Sequence, residues 1–132
     1  MSKIHLHIVT PAGTYRDLDV DMLNITTTDG QIGILPHHIP LAAGVAISEM
    51  NYKLDGQYYK FAIAGGFLHV TPDNTVTVIG NAVESPEEID LRRAEEAAQR
   101  AKERMKQKDI DFKRAEVALK KALVRIDVKN GL

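Results

Sequence analysis

An antiparallel β-sandwich followed by a hairpin of two helices is the fold expected of this chain of 132 residues, and two counts predict it. Residues 1–86 hold all five Pro, all five His, eight of the nine Gly and six of the seven aromatic side chains, with only 12 charged residues. Residues 87–132 hold no Pro or His, seven Ala and 23 charged residues, 13 basic and 10 acidic. Frequent turns with alternating side chains indicate strands, whereas a charged, Ala-rich, breaker-free run indicates helix. The chain is therefore read as two domains, 1–86 and 87–132.

Ile4, Leu6 and Ile8 alternate with His5 and His7, the pattern of a half-buried strand. Thr10-Pro11-Ala12-Gly13 turns the chain, and Leu18, Val20 and Met22 then alternate with Asp17, Asp19 and Asp21. Asp29-Gly30, Asp55-Gly56 and Asp73-Asn74 are hairpin signals, because Gly, Asn and Asp tolerate the positive φ that tight turns need. β-Formers flank the last two, Tyr58 to Ala64 and Thr75 to Ile79. A turn every ~10 residues points to a sandwich or barrel. Gly65-Gly66, inside a strand pattern, marks a bulge or a close backbone approach.

Ser85-Pro86-Glu87-Glu88 reads as a helix start: a cap, a Pro at the first position and acidic residues in the first turn. Leu91, Ala94, Ala98, Ala101 and Met105 repeat at intervals of three and four, as do Phe112, Ala115, Leu119, Ala122 and Ile126. Lys106 to Asp109 interrupts the pattern, with Asp109 or Asp111 available to cap a second helix. So short a connection implies an antiparallel hairpin. Its small seam buries little area, so the hairpin is marginal alone and able to change partners, and Ala98→Leu and Ala118→Leu are both expected to overpack it.

A formal charge of −1 gives no whole-chain electrostatic case for nucleic acid. Absence of Cys removes disulfides, thiolate metal sites and thiol nucleophiles. The uncharged run Gln31 to Ser48 is broken by Gly33, Pro36, Pro40 and Gly44, so no membrane insertion is expected, and the alternating N-terminus does not read as a signal or transit peptide. Neither a phosphate-binding loop nor a nucleophile elbow occurs. His5, His7, His37, His38 and His69 raise the question of a metal, but exposed imidazoles on strands are the simpler reading. At ~100° per residue, Asp90, Arg93, Ala97, Arg100 and Arg104 fall in an arc of roughly 80° beside the helical seam. Such an arc is either a solvated face with intrahelical pairs or a site for phosphate oxygens, which guanidinium forks suit.

Three runs carry a resemblance: Gly33-Ile34-Leu35-Pro36-His37-His38-Ile39-Pro40, Ala64-Gly65-Gly66-Phe67-Leu68-His69-Val70 and Ile89-Asp90-Leu91-Arg92-Arg93-Ala94. In this order, and over essentially the whole chain, the sequence resembles the bacterial epsilon subunit of the F-type ATP synthase. The resemblance implies about ten strands, then the helical hairpin, in a non-catalytic subunit of the central stalk. It implies as partners the gamma subunit, the membrane rotor ring and, when the tail is extended, the alpha/beta catalytic head, at the cytoplasmic face of the bacterial plasma membrane. The family's ring-facing loops correspond to Asp29-Gly30-Gln31-Ile32 and His37-His38. Its tail permits turnover when folded down and hinders ATP hydrolysis when extended, and Arg104, Lys113, Arg114, Lys120 and Lys121 are candidates for contact with an acidic segment of the head.

Some bacterial members bind ATP in the folded tail through an Ile/Leu-Asp-x-x-Arg-Ala motif, which residues 89–94 match. The resemblance thus assigns Ile89 and Ala94 to adenine packing, Asp90 to a polar anchor and Arg93 to the motif's cation. Glu84, Arg100 and Arg125 match further positions, the two Arg near phosphate. Lys121 stands where strong binders often have Arg, which keeps charge but loses the planar fork, and leaves affinity and Mg²⁺ dependence open. A small metal-dependent sandwich enzyme using His5, His7 and His69, or a stand-alone coiled-coil adaptor, would each account for one part of the sequence. Only the resemblance accounts for sandwich, tail and motifs together.

Overall fold

The structure is a computed structural model that describes residues 2–107 and 111–131. Eight strands precede two helices: β1 (Ile4–Thr10), β2 (Gly13–Val20), β3 (Met22–Thr27), β4 (Gly30–Ile34), β5 (Leu41–Leu54), β6 (Gln57–Val70), β7 (Thr75–Gly80), β8 (Val83–Glu84), α1 (Leu91–Met105) and α2 (Phe112–Asn130). The hydrogen-bonded order is β2-β1-β7-β6-β5-β3-β4, with β8 also on β6. All pairs are antiparallel except β1 with β7.

This continuous path folds over on itself. Ile4, Leu6 and Ile8 of β1 share one buried cluster with Leu23 and Ile25 of β3, although several strands separate them along the ladder. The fold-over occurs within the 14-residue strands β5 and β6, whose pairing skips between Val45↔Gly66 and Ile47↔Ala64. Beyond that point β6 pairs with β7, and before it with β8. Eight strands are found rather than the ten expected, because the long β5 and β6 each serve both layers and would count twice if cut at the bend.

Gly65-Gly66 makes that bend. Gly66 has φ 154°, and a Cβ there would lie 2.0 Å from the carbonyl oxygen of Ile79 and 3.0 Å from the Gly80 Cα, its partner across the ladder. Close approach of two backbones therefore requires glycine here, as the sequence suggests. Both Asp55 and Asn74 take positive φ in their turns. The hairpin edge β2 is polar: His5 on β1 lies 2.9 Å from Asp19 and 2.5 Å from Asp17 of β2, and the Asp19 carboxylate leads in raising the imidazole pKa. Charged edges of this kind discourage pairing with other chains.

Ser85-Pro86-Glu87-Glu88 forms a single isolated turn, closed by bonds between Ser85 and Glu88, rather than the start of α1. Glu88 N–H donates to Ser85 O at 3.0 Å, and the Glu88 carboxylate accepts from Ser85 N–H at 3.0 Å. Ile89 then turns inward to pack with Ala62, Val124 and Val128, and α1 starts afresh with Asp90 as its cap, accepting from Arg93 N–H at 3.1 Å. Asp111 caps α2, accepting from Arg114 N–H at 3.2 Å; Asp109, the other candidate, lies outside the described residues.

The seam buries Ala94, Ala98 and Ala101 of α1 against α2, which buries Ala115, Ala122 and Val128. Residues 90–100 of α1 and Arg125, near the far end of α2, line one cavity, so the helices run antiparallel. Two expectations need correction. Phe112 is exposed, because it begins α2 where little of α1 remains to cover it, and Ala118 faces outward, so that Ala118→Leu should be nearly neutral. The overpacking test belongs at Ala122, which is wholly buried. Ala122→Leu is expected to cost ~1–3 kcal/mol and to lower the melting temperature of the hairpin, read by circular dichroism at 222 nm.

Candidate functional site

At the base of the hairpin a cavity of about 250 Å³ is lined by Glu84, Glu88, Asp90, Arg93, Ala94, Ala97, Arg100 and Arg125. Glu84 comes from β8, Glu88 and Asp90 from the turn before α1, Arg93 to Arg100 from α1 and Arg125 from α2. Helical spacing explains the α1 contribution, since residues 93, 97 and 100 lie one above another on one face. Arg104, one turn further along the arc, does not line the cavity.

Three guanidinium groups and three carboxylates face this space, and the carboxylates are largely engaged. Glu84 Oε1 lies 3.6 Å from Arg125 Nη1. Glu88 accepts from Ser85 and from the Tyr15 hydroxyl, and the Tyr15 bond leads in holding its carboxyl below the usual range. One oxygen of Asp90 caps α1. Among the described residues Arg93 and Arg100 form no ion pair, and Arg125 Nε is buried with no hydrogen-bond partner. A buried unpaired donor is costly unless a ligand or water answers it. The cavity thus offers three cations to an anion and a free carboxylate oxygen on Asp90 to an amine or hydroxyl. Its floor of Ala94 and Ala97 admits a flat apolar group.

Of the residues singled out in the sequence, Glu84, Asp90, Arg93, Ala94, Arg100 and Arg125 meet here. Ile89 does not line the cavity; its side chain packs with Ala62, Val124 and Val128 beneath the hairpin. Ala97 takes its place on the wall. Glu88 was missed as a site residue because its Ser-x-x-Glu spacing reads as a helix start; the same spacing was the signal that could have found it. Lys121 lines a narrow neighbouring cleft with Ala62, Ala64, Val124, Glu84 and Arg125, rather than the cavity.

The histidines do not converge. His5 is on β1 beside two Asp, His7 meets Thr14, and His37 and His38 follow β4. Among the described residues no group of three or more His, Asp and Glu is arranged to hold a metal, and no helix is long and apolar enough to cross a membrane. Of the two segments expected to face the ring, 29–32 runs from the β3–β4 turn into β4 itself and 37–38 follows the end of β4, with Leu35 and Ile39 exposed beside the second.

Residues 3–86 match the family model described as ATP synthase, Delta/Epsilon chain, beta-sandwich domain, and residues 87–130 that of the long alpha-helix domain of the same chain. The ATP synthase epsilon chain of Halalkalibacterium halodurans is 43% identical over 131 residues, covering 97% of this chain and 98% of that one. That of Bacillus subtilis is 45% identical over 105 residues, 80% of this chain and 79% of the relative. Among solved structures, a chain of the Euglena gracilis mitochondrial ATP synthase (OSCP/F1/c-ring) superposes with TM-score 0.84 at 22% identity, covering 93% of this chain and 79% of that one. A chain of the Tetrahymena thermophila mitochondrial ATP synthase central stalk and c-ring gives 0.60 at 14% identity, covering 98% and 96%. With sandwich and hairpin each matched by its own family model and bacterial relatives matched nearly end to end, this chain belongs to the delta/epsilon family of ATP synthase subunits, as an epsilon chain.

Proposed function

We propose that the sandwich sits in the central stalk between the gamma subunit and the membrane rotor ring, at the cytoplasmic face of the bacterial plasma membrane, and that the hairpin is an ATP-sensing brake on hydrolysis by the alpha/beta head. The observation that carries the brake is the composition of the cavity: β8, α1 and α2 must be together for it to exist. A ligand that binds only this arrangement stabilises the folded-down hairpin over any extended one. Leu35 and Ile39, exposed beside His37 and His38, support a protein contact at that end of the sandwich.

ATP suits the cavity in kind. The Arg side chains take phosphate oxygens and Asp90 takes the exocyclic amine, while Ala94 and Ala97 receive the base. The volume is below the ~300–1,000 Å³ of most small-molecule sites, so part of the triphosphate projects into solvent. ATP at ~10 times its dissociation constant favours the folded hairpin by only ~1.4 kcal/mol. Sensing therefore requires two nearly balanced positions, which the small Ala seam supports.

Titration calorimetry of the full chain with ATP, with and without Mg²⁺ and against ADP, tests the site. Saturable binding is expected, weakened at least ~10-fold by Arg93→Ala, which removes a cation, and further by Asp90→Ala. Asp90→Ala also deletes a helix cap worth about 1 kcal/mol, so helix content must be followed alongside. Equal affinity in Arg93→Ala and the native chain would contradict this assignment.

A further inference from the structure

The turn between sandwich and hairpin holds a polar cluster centred on Glu88, at the edge of the cavity. Tyr15 of β2 donates its hydroxyl hydrogen to Glu88 Oε1, 73 residues along the chain. The same oxygen accepts from Ser85 N–H at 3.0 Å and Ser85 Oγ–H at 2.9 Å, and Ser85 is buried. The Tyr15 ring is fixed independently, edge-on to Phe61 with centroids 5.9 Å apart and with the Arg16 guanidinium 4.4 Å above it. From the other side, Lys129 in the last turn of α2 donates to Pro86 O at 2.8 Å. Strand, turn and hairpin end are therefore fastened at one point.

We propose that the Tyr15 hydroxyl and the Glu88 carboxylate form a latch that holds the base of the hairpin against the sandwich and must open before the hairpin can leave. This rests on the reading of the hairpin as a part with two positions. Any swing of the hairpin rotates the backbone between Ser85 and Asp90, and Glu88 lies within that stretch. Among the described residues, Tyr15 to Glu88 is the side-chain hydrogen bond that joins another strand of the sandwich to it. A donor to an ionised carboxylate in a partly buried place is stronger than a neutral bond. Consistently, burial and the Glu88 carboxylate push the Tyr15 phenol up to about 12, so donor and acceptor keep these roles across the neutral range. Because Glu88 also lines the cavity, the latch sets the position of the turn that presents Asp90.

Limited trypsin digestion of the full chain, without nucleotide, reads the latch. Arg and Lys in both helices report departure of the hairpin, and cleavage within residues 1–86 reports the sandwich. Tyr15→Phe keeps the ring and its contacts and removes only the hydroxyl. It is expected to accelerate cleavage within residues 87–132 on the order of tenfold, with cleavage in residues 1–86 unchanged. Glu88→Ala should do the same, and the double variant should add little to either, the signature of a shared bond. Unchanged cleavage in both single variants, or strictly multiplicative effects in the double variant, would overturn the latch. If cleavage accelerates as expected while hydrolysis by the assembled enzyme is unaltered, the latch stands and the brake fails.

Discussion

Gly66→Ala is expected to destabilise the sandwich by at least ~3 kcal/mol, seen as a lower urea midpoint at unchanged slope. Two costs add. The added methyl would sit 2.0 Å from the Ile79 carbonyl oxygen, which is backbone in a paired strand and has no side-chain freedom with which to yield. The φ of 154° is also poorly tolerated by any residue with a Cβ. Gly13→Ala separates the terms, since Gly13 has φ 118° but nothing within 4 Å of its would-be Cβ. It should show the backbone cost alone, about 1 kcal/mol. Equal effects at the two positions would mean that the close approach of β6 and β7 is not what demands glycine. The bend is where one ladder serves two layers, so its loss is felt throughout the core that joins β1 to β3.

Arg125→Ala is expected to weaken ATP binding by roughly 10- to 100-fold, the cost of losing a charged donor to phosphate. Arg125 is the cavity's sole α2 side chain among the described residues, so it is also the group through which a ligand ties the second helix to the first. Its Nε is buried and unpartnered, while Nη1 leans on Glu84 at 3.6 Å, a distance that a tighter acceptor can replace. Arg125→Lys should recover part of the affinity, since charge survives without the planar fork. Arg104→Ala, outside the cavity, should leave affinity unchanged. Calorimetry on the three variants separates a specific site from general attraction between ATP and a basic tail, in which case Arg104 would count as much as Arg125.

The sandwich and hairpin were legible in the sequence because each has its own period. Alternation at Ile4 to Ile8 gave β1, and the three-four repeat with Ala94, Ala98 and Ala101 gave the seam of α1. Strand number was not legible: nothing in Gln57 to Val70 shows that one strand continues through Gly65-Gly66 with a change of layer. The start of α1 was misplaced because the Ser-Pro-Glu-Glu signature is local, while the burial of Ile89 that breaks the helix is tertiary. The same burial removes Ile89 from the cavity. Asp90, Arg93 and Arg100 were legible as one helical face. Arg125 could be read from helical spacing only as a cation facing either the site or water, and Glu84 came only with the family resemblance, since no periodicity links β8 to the helices. Ala122 belongs to the three-four repeat of α2 and Ala118 does not, so the pattern itself already separated the buried position from the exposed one.

ATP is expected to hold the hairpin on the sandwich, and a change of distance between the two reports it. The chain lacks Cys, so a pair introduced as Gln57→Cys and Ala118→Cys, both exposed, can carry a donor and an acceptor dye. Energy transfer between them, measured in the assembled enzyme as ATP is raised, reports the hairpin position directly. A saturable rise in the short-distance population, absent in Arg93→Ala, is the predicted result. A distribution that does not respond to ATP at concentrations that saturate the native chain in calorimetry would contradict it.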